Sequence, residues 1–449
     1  MNQADHKLCH QSSELDTELE LARNRYIKLR PNSATAYKLS ANFMPGGNTR
    51  TVLFHKPFPL RIVRGDGCRV TDADGLEYVN LLGEYSAGLF GHNNPVIRAA
   101  IDRALDFGIN LSGHSEHEIK LAELICRRYP SLEKVRFTNS GTEANLLAIS
   151  TACYQTSRSK VMVFKGGYHG GLLYFAQGGM PLNAPFDYIV GRYNDEVSSR
   201  ELIRKHADEI ACILVEPMQG AAGCIPASKE FLQLLRSLSR EIGAILIFDE
   251  VMTSRLSPQG AQGLFKVVPD MTTLGKYLGG GMTFGAFGGS DSIMQIFDPT
   301  RDNAIPHAGT FNNNALTMAA GVAAVGEVLS DDSLEQLNRR GDRLRNDLNR
   351  LVKRQNCCLQ FTGMGSLLAL HTTVAPIQNT DDLNLANDKL MELLFLDLLE
   401  QGFYIARRGF MALMLNIGDA EIEGFLQAFT SVIESRANLL IRSDVGSPK

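Results

Sequence analysis

The sequence predicts an α/β fold in which a mainly parallel sheet is covered by helices on both faces. Between about residues 94 and 330, short apolar runs alternate with segments of helical periodicity, the pattern of repeated strand–helix units. Several runs are apolar throughout, as strands buried on both faces require. Several end in polar or glycine-rich turns, where α/β folds place their ligands. The predicted strands are Val135–Thr138, Val161–Phe164, Ile210–Val215, Ala244–Phe248, Met271–Leu274 and Gly285–Gly289.

The part of the chain before this region predicts a small α+β unit. Residues 1–30 are polar and acidic, so we expect either disorder or a polar surface helix there. A helix is expected over Ser33–Phe43, ended by the Pro-Gly-Gly turn that begins at Pro45. The segment Leu60–Leu82 alternates in strand fashion around glycine-containing hairpin turns.

Capping residues place the helices of the central region. Asn94 is a helix cap, Pro95 suits the first helical position, and apolar residues recur at helical spacing to Phe107. Further helices are expected over His117–Arg128, from Gly141 onward, and over Lys229–Arg240.

The remaining chain predicts a second α+β unit. A long helix of small residues, about Asn314 to Leu329, leads into it. The pattern is then a helix, a strand over Leu359–Leu370, a helix over Leu383–Glu400, two short strands and a final helix. We therefore predict a polar N-terminal extension, a large domain, and one small domain built from both ends of the chain. These correspond to residues 1–30, to 94–330, and to 31–93 together with 331–440.

Composition limits the functional classes. The 449-residue chain has a formal net charge of −4, which gives no reason to expect nucleic acid or an anionic membrane as a partner. No apolar run approaches the roughly 20 residues of a membrane span, and the N-terminus has no apolar signal region. The eight cysteines show no CxxC spacing, and His114 and His117 lack companion ligands. We expect a cytoplasmic protein without a metal site.

Two residues in the stretch Ala244–Gly281 carry the strongest chemical signal. Asp249 ends an apolar strand, and Lys276 follows another short strand just before a run of glycines. A lysine in this setting suits a Schiff base to an aldehyde cofactor, and an aspartate on a neighbouring strand could hold the protonated ring nitrogen. These are the requirements of a pyridoxal-phosphate enzyme. Taken singly, Asp249 and Glu250 could also be helix caps or solvated loop charges, and the lysine an ordinary surface residue.

A helix start after the first predicted strand offers a phosphate site. Ser140, Gly141 and Thr142 open this helix, so backbone N–H groups, hydroxyls and the positive end of the helix dipole converge there. The alternative is an ordinary capping box. Thr310, another hydroxyl residue beside a glycine near a helix start, is either a second phosphate donor or an N-cap.

Two other strand ends carry candidate cofactor contacts. Tyr168 lies among glycines and could lie flat against a planar ring, although a flexible loop with an aromatic plug is the alternative. We give the neighbouring His169 no catalytic role. Glu216 and Gln219 end another strand, and Gln219 could reach the phenolic oxygen of the cofactor. The alternative there is a plain strand-end turn.

Several motifs, in this order, resemble those of the class III aminotransferases, which are pyridoxal-phosphate enzymes of fold type I. The resemblance covers about Asn42 to Ser435 and rests on RFTNSGTEAN, GGYHGG, FDEVMTSRL, TTLGKYLGGG and GTFNNN. The β-phenylalanine aminotransferases match these motifs most fully, and the glutamate-1-semialdehyde aminomutase group matches them more loosely. The resemblance implies a mainly parallel seven-stranded sheet, pyridoxal 5′-phosphate as cofactor, and a homodimer.

The resemblance also implies roles for the matching residues. Lys276 would form the Schiff base and move the proton between Cα and C4′, and Asp249 would keep the ring nitrogen protonated. Tyr168 and Val251 would cover the two faces of the ring. The implied phosphate ligands are Ser140, Gly141, Thr142 and Thr310 of the partner subunit.

Two arginines are implied substrate ligands. Arg50 would bind the carboxylate of the amino donor and Arg408 the second carboxylate of the acceptor, because an arginine fork binds a carboxylate through two charge-assisted bonds. The implied reaction moves an amino group from an aromatic β-amino acid to 2-oxoglutarate or pyruvate. One departure bears on the side-chain preference. Arg407 stands where the β-phenylalanine enzymes carry a proline, so it is a candidate pocket residue.

Other functions stay open at this point. The chain could be a mutase that moves an amino group within one molecule, an aminotransferase for another donor in a specialised biosynthetic pathway, or a cofactor-binding protein without catalysis. The presence of both Lys276 and Asp249 argues against the last. Arg50 together with Arg408 favours an external two-carboxylate acceptor over the mutase.

Overall fold

The computed structural model describes residues 3–384 and 386–440, with side chains from residue 13 onward. Its first helix, α1 (Gln3–Leu29), shows that the N-terminal segment is helical, although residues 1 and 2 lie outside the described part. This helix is more than a polar surface element, because one of its faces packs into the core. The buried residues of that face are Leu15, Leu19, Ala22 and Tyr26.

The next elements form the start of a small sheet. Helix α2 (Pro31–Ser40) begins with a proline at its first position and ends before the predicted breaker. Three strands follow, and each pairs antiparallel with the next, which confirms the hairpin turns. They are β1 (Ile62–Asp66), β2 (Arg69–Asp72) and β3 (Glu77–Asn80).

Two helices then lead into the central region, α3 (Pro95–Phe107) and α4 (Glu116–Arg128). Asn94 is the predicted cap of α3: its side-chain oxygen accepts the backbone N–H groups of Val96 at 3.1 Å and Ile97 at 3.3 Å.

The central region alternates strands and helices as predicted. Its elements are β4 (Lys134–Thr138), α5 (Gly141–Thr156), β5 (Lys160–Phe164), β6 (Asp187–Gly191), α6 (Glu196–Lys205), β7 (Ile210–Val215), β8 (Met218–Gln219), β9 (Ile225–Pro226), α7 (Lys229–Ile242), β10 (Ile245–Asp249), α8 (Gly260–Phe265), β11 (Met271–Gly275), β12 (Gly285–Gly289), α9 (Asp291–Met294) and α10 (Ala315–Ala323).

Seven of these strands form one sheet in the order β4-β12-β11-β10-β7-β5-β6. All are parallel except β12, which runs antiparallel to both neighbours. The sequence did not reveal β6, an edge strand whose apolar run is short. The two-stranded pair β8–β9 forms a separate antiparallel ribbon.

The register of the sheet determines where the functional side chains lie. Phe248 pairs with Val215 on one side and with Thr272 on the other. The residues that follow, Asp249 and Glu216, therefore leave the sheet at the same edge. Lys276 follows β11 at that edge as well.

The last third of the chain is a second mixed unit. Its elements are α11 (Asp331–Arg354), β13 (Gln360–Met364), β14 (Leu367–His371), α12 (Asp388–Glu400), β15 (Phe403–Tyr404), β16 (Phe410–Ala412), α13 (Asp419–Ser435) and α14 (Ala437–Leu440). Strand β15 pairs in parallel with β3, so the two ends of the chain share a sheet. The domain boundaries themselves stay a prediction.

Three elements differ most from the sequence prediction. The predicted strand Leu359–Leu370 is a hairpin, because Gly365 adopts a left-handed φ of 54° and turns the chain between β13 and β14. Helix α12 begins at Asp388 rather than Leu383, because the side chain of Asn387 caps it. The predicted helix Asn314–Leu329 is α10 followed by a π-helical turn, Ala324–Val328. No described helix is long and apolar enough to cross a membrane.

Candidate active site

Lys276 begins a short 3-10 helix directly after β11 and has a left-handed φ of 57°. Burial lowers the pKa of its ammonium group to about 8, although the carboxylates of Asp249 and Glu216 act in the opposite direction. The guanidinium groups of Arg408 and Arg255 lower the pKa further. Near neutral pH a sizeable fraction of this lysine is therefore an uncharged amine, the form that attacks an aldehyde.

Asp249 is buried and held by donors from three directions. Its Oδ2 lies 2.9 Å from Asn145 Nδ2 and 2.8 Å from His169 Nδ1, and its Oδ1 accepts the backbone N–H of Val251 at 3.0 Å. Asn145 is itself fixed, because Thr273 Oγ1 donates to its side-chain oxygen at 2.7 Å. A carboxylate has about four acceptor positions, so Asp249 can accept one further N–H.

The neighbouring carboxylate has a separate, structural task. Glu250 is fully buried and accepts the backbone N–H groups of Ala261 at 2.6 Å and Gln262 at 3.0 Å, at the start of α8. It also accepts the side-chain amide of Gln262 at 3.1 Å. Of this acidic pair, Glu250 is therefore the helix cap that the sequence allowed as an alternative. Asp249 instead faces the site.

Glu216 organises the loop that carries Tyr168. Its two carboxylate oxygens accept the backbone N–H of Tyr168 at 2.9 Å and of Gly220 at 3.0 Å. Burial raises the pKa of Glu216. Gln219 ends strand β8, and its Nε2 donates to the Lys165 carbonyl at 3.0 Å and keeps a second N–H, while its Oε1 is buried without a partner among the described residues.

The start of α5 forms the predicted anion site. Ser140 caps the helix by accepting the N–H of Glu143 at 3.2 Å. Within the described chain, the N–H groups of Gly141 and Thr142 have no protein acceptor, as expected for the first turn of a helix. A Cβ on Gly141 would come within 2.7 Å of Val251, so a side chain there would collide with the residue expected against the ring.

Two arginines are candidate substrate ligands. The exposed guanidinium of Arg50 pairs with Glu84. Arg408 donates to the carbonyl of Ala221 at 2.8 Å, and its guanidinium lies 5.3 Å from the centre of the Tyr85 ring. Since Arg408 also lowers the pKa of Lys276, its guanidinium lies within electrostatic reach of the lysine.

Two predicted residues lie apart from this group. Thr310 is in an exposed turn that borders a groove of about 420 Å³ lined by residues 109–115, 310, 311 and 313–315. Two residues on, Asn312 accepts a hydrogen bond from Asn139 at 3.1 Å, so the loop touches the segment before Ser140 in the same chain. Arg407, predicted as a pocket residue, instead donates to two carboxylates of α12, Asp388 at 2.7 Å and Glu392 at 3.1 Å, so its guanidinium is already paired.

Together these groups fit a flat cationic ring that carries an aldehyde and a phosphate. Asp249 has a free acceptor position, Gln219 a free N–H, and the first turn of α5 two free N–H groups. Glycine at position 275 leaves space between Val251 and the N–H of Gly141, since a Cβ there would lie 3.2 Å from the valine. Among the residues that the structure describes, no cluster of His, Cys, Asp and Glu could hold a metal ion.

Comparison with known proteins agrees with this chemistry. The sequence pattern of the family described as aminotransferase class-III matches residues 54–433. The chain is 46% identical to a β-phenylalanine transaminase from Variovorax paradoxus over 96% of this chain and 99% of the relative. A solved structure of a β-phenylalanine aminotransferase from that organism superimposes with a TM-score of 0.94, covering 96% of this chain and all of that one. A glutamate-1-semialdehyde 2,1-aminomutase from Limosilactobacillus reuteri subsp. reuteri is 34% identical over 90% of this chain and 97% of its own.

The fold and the site thus define a fold-type I enzyme that works with pyridoxal 5′-phosphate. The chain belongs to the class III aminotransferases. Its substrates are accordingly an amino donor and an oxo-acid acceptor.

Sequence reasoning missed several residues around this site. Asn145 lies in the motif RFTNSGTEAN, but the sequence analysis gave it no role. It could have been found as the one amide among the buried, otherwise mostly apolar residues of α5. His169 was identified without a function. Glu84 and Tyr85 left no signal, because the turn that presents them is shaped by contacts distant in sequence.

Proposed function

We propose that the protein transfers the amino group of an aromatic β-amino acid to 2-oxoglutarate or pyruvate. The observation that carries the proposal is that two arginines, Arg50 and Arg408, lie near Tyr85, and that Arg408 also lies within electrostatic reach of Lys276. The relative named as a β-phenylalanine transaminase, at 46% identity, supports this substrate class.

The electrostatics of two tyrosines support a shared pocket for both arginines. Burial raises the pKa of Tyr168 and of Tyr85, and in each case Arg408 and Arg50 act in the opposite direction. Both guanidinium groups therefore lie near both rings. A pocket with two cations suits a donor with one carboxylate and an acceptor with two, because each arginine forms a bidentate pair with a carboxylate.

Aromatic side chains beside the arginines favour an aryl substituent on the donor. The Tyr85 ring stacks on buried Phe410 with centroids 5.5 Å apart and planes 20° apart. Tyr168 contacts Tyr174 edge to face at 5.2 Å and remains 43% exposed, so its ring has area left for a ligand. Offset and edge-to-face contacts with such rings add to the burial of an aryl group.

The protein groups around Lys276 have distinct tasks in amino transfer. When bound, pyridoxal phosphate supplies an electron-accepting ring that stabilises negative charge at the substrate carbon that bears the amino group. The uncharged amine of Lys276 would remove the proton from the carbon that bears the amino group, Cβ in a β-amino acid, and deliver it to the former aldehyde carbon of the cofactor. Asp249, oriented by Asn145 and His169, holds the proton on the ring nitrogen. Ser140 and its neighbours Gly141 and Thr142 would hold the phosphate.

A donor screen tests the proposed substrate class. The holoenzyme is incubated with 2-oxoglutarate and single amino donors, and glutamate formation is measured. β-Phenylalanine (3-amino-3-phenylpropanoate) should give glutamate, whereas matched α-amino acids should give little. Glutamate formed only from α-amino donors would show that the enzyme serves a different donor class. Conversion of glutamate 1-semialdehyde, in which the amine and the aldehyde are on adjacent carbons, without any acceptor would favour the mutase.

We further propose that the active unit is a homodimer. Thr310 borders a groove whose apolar lining includes Ile109, Leu111 and Phe311, exposed by 54%, 48% and 57%. An apolar groove of this kind supports burial against a second copy, with Thr310 of the partner subunit completing the phosphate site. We also propose a cytoplasmic location. This is supported by the free thiols of Cys68, Cys126, Cys153, Cys212 and Cys224.

A further inference from the structure

Arg255 is a fully buried arginine that forms no ion pair with any described carboxylate. Its Nε donates to Ser366 Oγ at 3.1 Å, its Nη1 to the Ser86 carbonyl at 3.4 Å, and its Nη2 to the Leu413 carbonyl. By contrast, the equally buried Arg30 lies 3.7 Å from Asp72. A buried cation is costly unless its hydrogen bonds are satisfied, and Arg255 relies on these neutral acceptors, two of which are backbone carbonyls.

The three bonds join segments that are distant in the sequence. Arg255 ends a short 3-10 helix, Thr253–Arg255, that follows Asp249 by a few residues. Ser366 lies in the turn between β13 and β14, and Leu413 directly follows β16. Ser86 ends the short turn Gly83–Ser86. Arg255 therefore connects the strand end that carries Asp249 to this turn.

The turn has an unusual backbone. Gly83, Glu84, Tyr85 and Ser86 have φ values of 54°, 50°, 51° and 76°. Three consecutive residues with side chains in the left-handed region persist only where the surroundings hold them. The glycine at the start is required by space, since a Cβ on Gly83 would come within 2.3 Å of the Ala412 carbonyl. The side-chain hydroxyl of Ser86 is buried without a partner among the described residues. The hydrogen bond between Ser86 and Arg255 is therefore made by the Ser86 backbone carbonyl alone.

The same turn presents the partners of both arginines of the site. Glu84 pairs with Arg50, and the Tyr85 ring lies beneath the guanidinium of Arg408. The Tyr85 hydroxyl donates to the Val52 carbonyl at 2.9 Å, close to Arg50 in the sequence. Any relaxation of the turn toward negative φ would move both partners.

We infer that Arg255 is a positioning residue for substrate recognition: by holding the Ser86 carbonyl it fixes the left-handed turn, and the turn orients Arg50 and Arg408. This inference rests on the proposed function, in which these two arginines bind the substrate carboxylates. Arg255 itself touches neither substrate in this arrangement.

The first test is steady-state kinetics of the holoenzyme with Arg255→Lys. A lysine has one ammonium group and cannot reach three acceptors in a fixed fork. We expect KM to rise about tenfold for both β-phenylalanine and 2-oxoglutarate, while kcat stays within about threefold. The control is Ser366→Ala, which removes one acceptor of Arg255 but leaves the bond to Ser86, so both KM values should stay within about twofold. A fall in kcat with unchanged KM values would overturn the inference.

The second test reads the turn without any catalysis. The amides of Tyr85, Ala87 and Gly88 bond to the carbonyls of Leu82, Glu84 and Gly83 at 3.0–3.1 Å. Their hydrogen exchange should be at least about tenfold faster in Arg255→Lys and unchanged in Ser366→Ala. Adding Ser86→Gly to Arg255→Lys keeps the carbonyl and removes the penalty for positive φ, so it should recover part of the loss in KM. Unchanged exchange in Arg255→Lys would overturn the inference.

A third pair of variants covers the case in which Arg255→Lys does not fold. Glu84→Val and Glu84→Gly both remove the partner of Arg50 at an exposed position, but only valine resists a φ of 50°. If the turn orients Arg408, KM for 2-oxoglutarate should be several-fold higher in Glu84→Val than in Glu84→Gly. Equal KM values in the two variants would show that the turn does not orient Arg408.

Failure of the proposed function has a different signature. With β-phenylalanine as donor, the wild-type enzyme would then form neither glutamate from 2-oxoglutarate nor alanine from pyruvate, while the exchange experiment would still report on the turn.

Discussion

His169 Nδ1 lies 2.8 Å from Oδ2 of Asp249, and both side chains are almost completely buried. The backbone of the histidine is fixed as well, because its carbonyl accepts a hydrogen bond from Asn145 at 3.0 Å. A carboxylate only accepts, so the ring nitrogen donates and His169 restricts the direction in which Asp249 points. The tyrosine expected to cover the cofactor ring is the preceding residue, which links the two functions of the GGYHGG loop.

Removal of this donor should slow the chemistry. We expect His169→Leu to lower kcat about ten- to a hundredfold, because it removes a hydrogen bond to a charged group beside the reacting ring. His169→Asn is the matched control, since its amide nitrogen can occupy the position of Nδ1 and should retain most of the activity. Steady-state kinetics at saturating donor and acceptor provides the measurement. Equal kcat values for the two variants would contradict an orienting role.

Lys276 should be the residue that binds the cofactor covalently. Borohydride treatment of the holoenzyme should fix pyridoxal phosphate to Lys276, and Lys276→Ala should lose turnover and the label. Lys266→Ala is a matched control because Lys266 has a similar backbone, with φ 56° against 57°, but is exposed at the end of α8. Peptide mapping identifies the labelled lysine. A label on any other residue would refute the assignment.

The depressed pKa of Lys276 predicts the pH dependence of cofactor uptake. Burial places this pKa at about 8, and only the uncharged amine attacks the aldehyde. Recapture of pyridoxal phosphate by the cofactor-free enzyme should therefore accelerate as pH rises from 6 to 8 and level off near pH 9. Glu216 raises the pKa of Lys276, so Glu216→Gln should shift the midpoint to lower pH. Stopped-flow absorbance measures the rates, and a midpoint near 10 would contradict the burial of the amine.

Local sequence signals were sufficient for the centre of this site. Fully apolar runs identify parallel strands, and the ends of parallel strands meet at one edge, so Asp249, Glu216 and Lys276 could be placed together without coordinates. The cap and the glycine of the helix start likewise identified Ser140 and Gly141. Strand β6 was missed because its apolar run is short.

The surroundings of the site depend on contacts that the sequence does not display. The left-handed turn at Gly83–Ser86 contains one glycine, and its other residues keep positive φ only because Arg255 and neighbouring backbone hold them. The link between Asn145 and Asp249 requires knowing which face of α5 packs on β10 and β11. Arg407 was a pocket candidate by its position, and only the structure shows that α12 engages it.

The two arginines should divide the half-reactions between them. We expect Arg50→Ala to raise KM for β-amino donors about ten- to a hundredfold, by loss of a bidentate charge pair. Arg408→Ala should instead impair the reaction of 2-oxoglutarate with the aminated enzyme and leave single-turnover deamination of the donor largely intact. Arg407→Ala is the control for loss of a neighbouring cation, and neither half-reaction should change more than about twofold. Single-turnover spectra of the cofactor separate the two halves, and equal damage to both by both variants would contradict this division.

Subunit mixing should show whether Thr310 acts in its own chain or in the partner. The contact between Asn312 and Asn139 brings the loop of Thr310 to the helix start of the same chain, whereas the apolar groove beside it suggests a second subunit. Thr310→Asp should abolish cofactor binding, because its carboxylate would repel the phosphate. Lys276→Ala should abolish turnover in the site that contains it.

The two inactive variants are unfolded together, refolded and loaded with pyridoxal phosphate. If Thr310 completes the site of the partner subunit, each mixed dimer has one site with Lys276 from one chain and an unaltered Thr310 from the other. Half of the dimers are mixed at equal concentrations, so about a quarter of the wild-type activity should return. Refolding each variant alone is the control and should give none. If Thr310 serves its own chain, no mixed dimer contains an intact site, and the mixture should stay inactive.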